Sequence, residues 1–293
     1  MPSCLVETSE TTTLQRSYAR LVRILVRPPV PEDVGSWRTL GWRAAPDFDE
    51  LEREHEAFRL LLAGAGAEVL ETRGEPGNLD SLYVYDPALI APRGAILLRP
   101  GKEGRLGEPE ALRAGLEASG LPIVSRLEAP ATADGGDTVW LDETTLLVGR
   151  SYRTNDAGIE ALRTLLPDAE VLAFDLPHVH GRAEVLHLRS LLNPISSRLS
   201  VAYVPLLPAR LVELLAERDI RVVEVPEEEF ATMGPNVLGL DGGQRAVALA
   251  GNVVTRQRLE EAGVEVLEYE GDEISRKGDG GPTCLTLPLA LTS

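Results

Sequence analysis

Cys284 stands near the end of the run Gly278-Asp279-Gly280-Gly281-Pro282-Thr283-Cys284-Leu285-Thr286-Leu287. Glycines let a backbone turn sharply or approach a ligand closely. A thiol at the end of such a loop can sit at the mouth of a pocket, where a thiolate nucleophile must be reachable. The competing reading is a small buried hydrophobe, because free cysteine is among the most buried residue types. Asp80 and Asp86 bracket a stretch read as a strand over 81–85. Their spacing places both carboxylates on one face of a straight strand, although turn capping at both ends explains them equally well. Ala133-Asp134-Gly135-Gly136-Asp137-Thr138 exposes acids on a tight turn before an apolar strand. Arg153, in Arg150-Ser151-Tyr152-Arg153-Thr154-Asn155, could hold a carboxylate bidentately or be a solvated helix-start residue. Of the four histidines, His187 alone lies in an apolar local pattern, which is more often a core position than a catalytic one. His178-x-His180 suggests a metal, but no cysteine or carboxylate cluster nearby completes a site.

Something must position these groups. Helical stretches are predicted over 49–63, 109–118, 156–166, 208–217 and 254–262, with starts recurring roughly every 50 residues. A short apolar strand follows each, over 67–70, 121–124, 170–174, 220–225 and 264–269. Further strands are predicted over 20–26, 81–85, 94–98, 138–141, 145–148, 198–203 and 246–249, and alternating Leu285, Leu287 and Leu289 read as another. Each unit thus reads strand, strand, helix, strand. Five such units favour a closed α/β ring over two unrelated domains, with an open doubly wound sheet as the alternative. The organisation is a loose N-terminal tail over 1–18, containing Cys4, and a single domain over 19–293. The segment 28–46 carries two of the three tryptophans, Trp37 and Trp42. A connection of that length without an element of its own reads as a lid-like loop or a packed surface loop.

The chain has 293 residues, 43% hydrophobic and 26% charged, ordinary for a globular protein. No apolar run approaches the ~20 residues of a membrane helix, and the N-terminal stretch has no secretory apolar core. Two cysteines make no disulfide framework, which fits a reducing cytoplasm. The formal charge of −17 disfavours nucleic acid and anionic membranes. It favours a small cationic substrate, though plain solubility accounts for it as well. No Gly-x-Gly-x-x-Gly follows a strand and no Walker-type loop occurs, so nucleotide binding has no support.

Taken in order, these pieces resemble the guanidino-group-modifying superfamily, most of all the dimethylarginine dimethylaminohydrolases. The resemblance rests on Asp80-Ser81-Leu82-Tyr83-Val84-Tyr85-Asp86, on Arg99-Pro100-Gly101 through Arg105 and Glu108, and on Asp134-Gly135-Gly136-Asp137. It extends through Val148-Gly149 to Arg153-Thr154-Asn155, then His187-Leu188-Arg189 and Gly280-Gly281-Pro282-Thr283-Cys284. It implies a five-unit pseudo-symmetric α/β propeller around a central pocket, with no cofactor and no metal. It implies Cys284 as nucleophile with His187 and Asp134, Asp86 as a second carboxylate on the guanidinium, and Asp80, Arg105 and Arg153 holding the amino and carboxylate groups of an amino acid. The expected activity is hydrolysis of the guanidino group of arginine or an Nω-substituted arginine through a thiouronium intermediate, giving citrulline and an amine. Amidinotransferase and arginine deiminase are the alternatives within enzymes, and a non-catalytic guanidino-binding protein is the alternative outside them. A homodimer is compatible with the sequence. Tyr85 departs from the family pattern, in which Glu or Arg stands, and that departure bears on the substrate rather than on the chemistry.

Overall fold

The computed structural model describes residues 23–179, 181 and 186–289. The tail over 1–18, Cys4, His180 and the first residues of the strand expected over 20–26 lie outside the described residues. The elements run β1 (Arg23–Val26), α1 (Phe48–Gly64), β2 (Glu68–Glu71), β3 (Ala88–Ala91), β4 (Gly94–Leu97), α2 (Glu108–Ala118) and β5 (Ile123–Arg126). They continue as β6 (Thr138–Trp140), β7 (Thr145–Arg150), α3 (Asp156–Leu165), β8 (Glu170–Asp175), β9 (Leu192–Ser196), β10 (Leu199–Ala202), α4 (Ala209–Glu217) and β11 (Arg221–Glu224). The last are α5 (Glu227–Phe230), β12 (Leu238–Leu240), β13 (Arg245–Leu249), α6 (Val253–Glu261), β14 (Glu265–Tyr269) and β15 (Leu287–Leu289).

The strands form five three-stranded sheets, ordered β15-β1-β2, β3-β4-β5, β6-β7-β8, β9-β10-β11 and β12-β13-β14. In each, the middle strand pairs antiparallel with one edge and parallel with the other. The parallel partner always follows a helix, the crossover that parallel pairing requires. The first sheet is completed from the other end of the chain, with Leu25 opposite Leu287.

The two edges of each sheet differ. β3, β6, β12 and β15 are buried throughout and β9 nearly so. The parallel edges β2, β5, β8, β11 and β14 alternate or are half exposed. The antiparallel edges therefore lie inside the molecule and the parallel edges outside.

Local chemistry explains the helix starts. The Asp47 side chain accepts from the Glu50 N–H at 3.1 Å, and Asn155 Oδ1 accepts from the Gly158 N–H at 2.8 Å, so each caps an otherwise unpaired donor. One sequence expectation fails. The stretch 81–85 is not a strand: Leu79–Leu82 is a 3-10 turn, and the strand begins only at Ala88. Asn78 starts that turn by accepting from the Asp80 N–H at 3.1 Å. Such side-chain bonding competes with a sheet ladder.

Candidate active site

Five inward edges place five side chains around one cavity. Asp86 precedes β3, Asp134 precedes β6, His187 precedes β9, Asn236 precedes β12 and Cys284 precedes β15. All line a cavity of about 320 Å³. Asp80, Lys102, Arg105 and Arg153 line it too, so every residue expected to act there is brought to one place.

His187 Nε2 lies 3.1 Å from Asp134 Oδ2, while Asp134 Oδ1 accepts from the Gly101 N–H at 2.8 Å. Burial alone would lower the imidazole pKa. The charges of Asp86, Asp134 and Asp137 and the bond to Asp134 outweigh it, raising the value from 6.5 to about 9. Burial would raise the Asp134 carboxyl, but His187, with Arg105 and Arg153, holds it below its ordinary range. Asp86 Oδ1 accepts from the Gly136 N–H at 2.8 Å, and its other oxygen takes an Arg105 N–H at 2.5 Å. Gly136 is needed for its size. A Cβ there would stand 2.6 Å from His187 Nδ1 and 2.9 Å from Asp86 Oδ1.

Cys284 is half-buried. Burial and then the Asp86 charge push its thiol pKa up, against the Asn236, Gly281 and Thr283 bonds that pull it down. Asn236 Nδ2 donates to Sγ at 3.5 Å, and Asn236 Oδ1 accepts from the Thr283 N–H at 3.0 Å and from the Thr283 hydroxyl at 2.9 Å. A Cβ on Gly281 would lie 2.5 Å from Asn236 Oδ1. The loop glycines thus allow two backbones to close around the thiol.

Four participants carried no assigned role in the sequence reading. Asn236 sits in an unremarkable loop with no motif to mark it. Asp137 is fully buried and accepts from the Ser151 hydroxyl at 2.5 Å and the Leu188 N–H at 3.1 Å. It ties the Arg153 turn to the His187 segment, and burial pushes its carboxyl up to about 6. Glu108 forms a bidentate pair with Arg105, at 2.9 Å to Nε and 2.8 Å to Nη2, and burial raises it to about 7. Lys102 Nζ donates to Asp80 Oδ2 at 2.5 Å. Of these, only the second acid of the Gly-Gly turn and the Glu three residues after Arg105 were visible as part of a motif.

The two arginines differ. Arg105 is saturated by Glu108, Asp86 and the Asp80 and Tyr83 carbonyls. The Arg153 guanidinium is half-buried in the cavity wall, with no hydrogen bond or ion pair among the described residues. Tyr85 is buried, and its hydroxyl accepts from Arg189 Nη2 at 2.6 Å, with the guanidinium 4.3 Å above the ring. His178 Nδ1 is 2.6 Å from the Tyr152 hydroxyl. Trp42 Nε1 donates to Asp80 Oδ1 at 2.8 Å, and its ring stacks on Tyr83 with centroids 5.8 Å apart.

The model of a family described as "N,N dimethylarginine dimethylhydrolase, eukaryotic" matches residues 104–291. The N(G),N(G)-dimethylarginine dimethylaminohydrolase of Pseudomonas aeruginosa is 28% identical over 244 residues, covering 83% of this chain and 89% of the relative. The enzyme of that name from Streptomyces coelicolor is 28% identical over 267 residues, covering 91% and 96%. A solved structure of the Pseudomonas aeruginosa protein, a cysteine-to-serine variant complexed with citrulline, superposes with a TM-score of 0.77 at 26% identity over 92% of this chain and 100% of that one. The chain therefore belongs to the dimethylarginine dimethylaminohydrolase family of the guanidino-group-modifying superfamily and is a hydrolase of guanidino compounds.

Proposed function

We propose that this cavity hydrolyses the guanidino group of an arginine-type substrate, arginine or an Nω-substituted arginine, with Cys284 as nucleophile. The observation that carries the reading is the convergence of one thiol, one carboxylate-held imidazole and a second fixed carboxylate on one cavity. Asp86 and Asp134 orient the planar guanidinium through charge-assisted bonds, which lowers the entropic barrier to attack. The free enzyme keeps its thiol protonated, because burial and Asp86 disfavour a second negative charge. A bound guanidinium offsets the Asp86 charge and, with charged His187, favours the thiolate.

Cys284 loses its thiol proton to solvent as the guanidinium binds, and the thiolate sulfur then bonds to the guanidino carbon. One C–N bond breaks, and the departing amine takes its proton from His187. Neutral His187 next removes a proton from water, which attacks the thiouronium carbon. The C–S bond breaks, releasing a ureido product such as citrulline and returning the thiolate. A pKa of about 9 keeps His187 charged, and so able to act as the acid, at neutral pH. The five sheets fit a pseudo-symmetric propeller around this cavity, an arrangement supported by β15 completing the first sheet and by the inward edges all delivering site residues. Within that single domain, the 28–46 segment serves as a cover, since Leu40, Gly41 and Arg43 line the cavity. The reading is tested by screening arginine, its methylated forms, agmatine and guanidino acids for ureido product. It fails if none is formed, or if an electrophilic amidine does not label Cys284.

A further inference from the structure

Asp80 is the carboxylate expected to receive a substrate ammonium, yet it is already occupied. Lys102 Nζ lies 2.5 Å from Asp80 Oδ2 and also donates to the Leu40 carbonyl. Trp42 Nε1 takes Oδ1 at 2.8 Å, and Arg105 Nε stands 3.8 Å from Oδ2. Lys102, Leu40 and Asp80 all line the cavity, and the lysine side chain is 23% exposed. A carboxylate and a carbonyl oxygen together are what an ammonium group needs, having donors and no acceptor. Here the protein supplies that ammonium itself. Arg153, whose backbone packs against Gly101, lines the same cavity as a cation without a hydrogen bond or ion pair among the described residues, so the cavity offers an unpaired cation together with an Asp80 that is already neutralised.

We infer that Lys102 stands in for the substrate's α-ammonium, so that the site selects guanidino carboxylates whose α-nitrogen is absent or acylated over free arginine. A free α-ammonium must either displace Lys102 or sit against a like charge, and specificity against an analogue is commonly built from such a repulsive element. The substrate carboxylate meets Arg153, with Lys102 adding attraction. The inference rests on the proposed hydrolysis for its chemistry and departs from that reading at the amino-acid end of the substrate, where a guanidino carboxylate lacking a free α-ammonium takes the place of free arginine.

The test reads binding separately from turnover. The full chain carrying Cys284→Ser is titrated calorimetrically with L-arginine, Nα-acetyl-L-arginine and 5-guanidinopentanoate. The latter two are expected to bind roughly ten-fold or more tighter than L-arginine, and Lys102→Met in the same background should remove or reverse that ratio. Lys102→Ala serves as a second substitution. If neither variant folds by circular dichroism, the ratio in the Lys102-containing protein decides alone. Tighter binding of L-arginine, a ratio that Lys102 substitution leaves unchanged, or no binding of any of the three overturns the inference. Turnover by the unsubstituted chain is scored separately. Selective binding with no ureido product from any compound removes the hydrolytic reading and leaves the role of Lys102 standing.

Discussion

The two ends of the cavity are built from different parts of the repeated unit. The reactive end takes Asp86, Asp134, His187, Asn236 and Cys284 from segments that lead into the buried edge strands. Such segments are fixed by the strand that follows and by backbone donors, as Gly101 and Gly136 fix the two carboxylates. The distal end takes Lys102, Arg105 and Arg153 from connections between a middle strand and its helix, and Trp42, from the β1–α1 connection, backs Asp80. Lys102, Arg105 and Trp42 meet Asp80, while Arg153 lines the cavity without touching it. A short aspartate on a pinned backbone holds position to within a bond length, as covalent chemistry demands. A lysine on a four-carbon stem does not, and exchanging Lys102 is expected to alter selectivity without moving Cys284. The difference separates what the site does from what it accepts.

The sharpest break in that comparison is at the thiol. Cys284→Ser should abolish turnover and leave the circular dichroism spectrum and thermal midpoint unchanged, because a hydroxyl without a strong base is a far weaker nucleophile. Retention of more than about a thousandth of activity by Cys284→Ala would rule out a covalent role, which contributes several orders of magnitude. Next in size are the carboxylates. Asp86→Asn and Asp134→Asn should each lower kcat/KM by roughly 10², the loss of one charge-assisted contact of ~3 kcal/mol, with the change mainly in kcat. A shift in thermal midpoint with intact kinetics would make them turn residues only.

At the distal end the split should reverse. Arg153→Ala should raise KM by about ten-fold or more and leave kcat close to unchanged, as expected on losing a carboxylate contact made equally in ground and transition states. It should also narrow the gap between a guanidino acid and agmatine, which has no carboxylate to lose. Agmatine turnover equal to that of the acid in the unsubstituted protein would show that no carboxylate is read there.

The smallest effect is a pH dependence of stability. His187 titrates at about 9 in the folded protein against 6.5 ordinarily, so between those values the folded state binds the extra proton. That contribution is full below about pH 6.5 and is lost as pH rises through about 9. The thermal midpoint should fall across this window, and His187→Gln should flatten the fall. An identical slope in the variant would place the imidazole outside the influence of Asp86, Asp134 and Asp137.

Most helices and the outer strands were legible because their apolar residues recur on one side, and because Asn155 marks where α3 begins. Of the inner edges, β6 and β15 were legible, but β3, β9 and β12 were not. β3 is Ala-Leu-Ile-Ala, buried throughout without alternation, and β9 carries Asn193 and Pro194, which argue against a strand. Asp80 and Asp86 were recognised through a motif although the strand drawn between them does not exist. The pairing of Lys102 with Asp80 depends on a fold-level approach that no local spacing encodes. The same holds for the histidines: burial takes His55 down to about 4, with Glu56 pulling the other way, while surrounding acids take His187 up to about 9.

The pairing of β15 with β1 has a consequence for synthesis. Cys284 lies three residues before Leu287, which pairs with Leu25, a contact between segments far apart along the chain. Closing so large a loop is entropically costly and slow relative to local structure. A nascent chain therefore carries Asp86, Asp134 and His187 long before it carries Cys284. The Cys284 thiol joins the cavity after the other four side chains, by the pairing that completes the first sheet, and a chain stalled before β15 is left without that thiol in register.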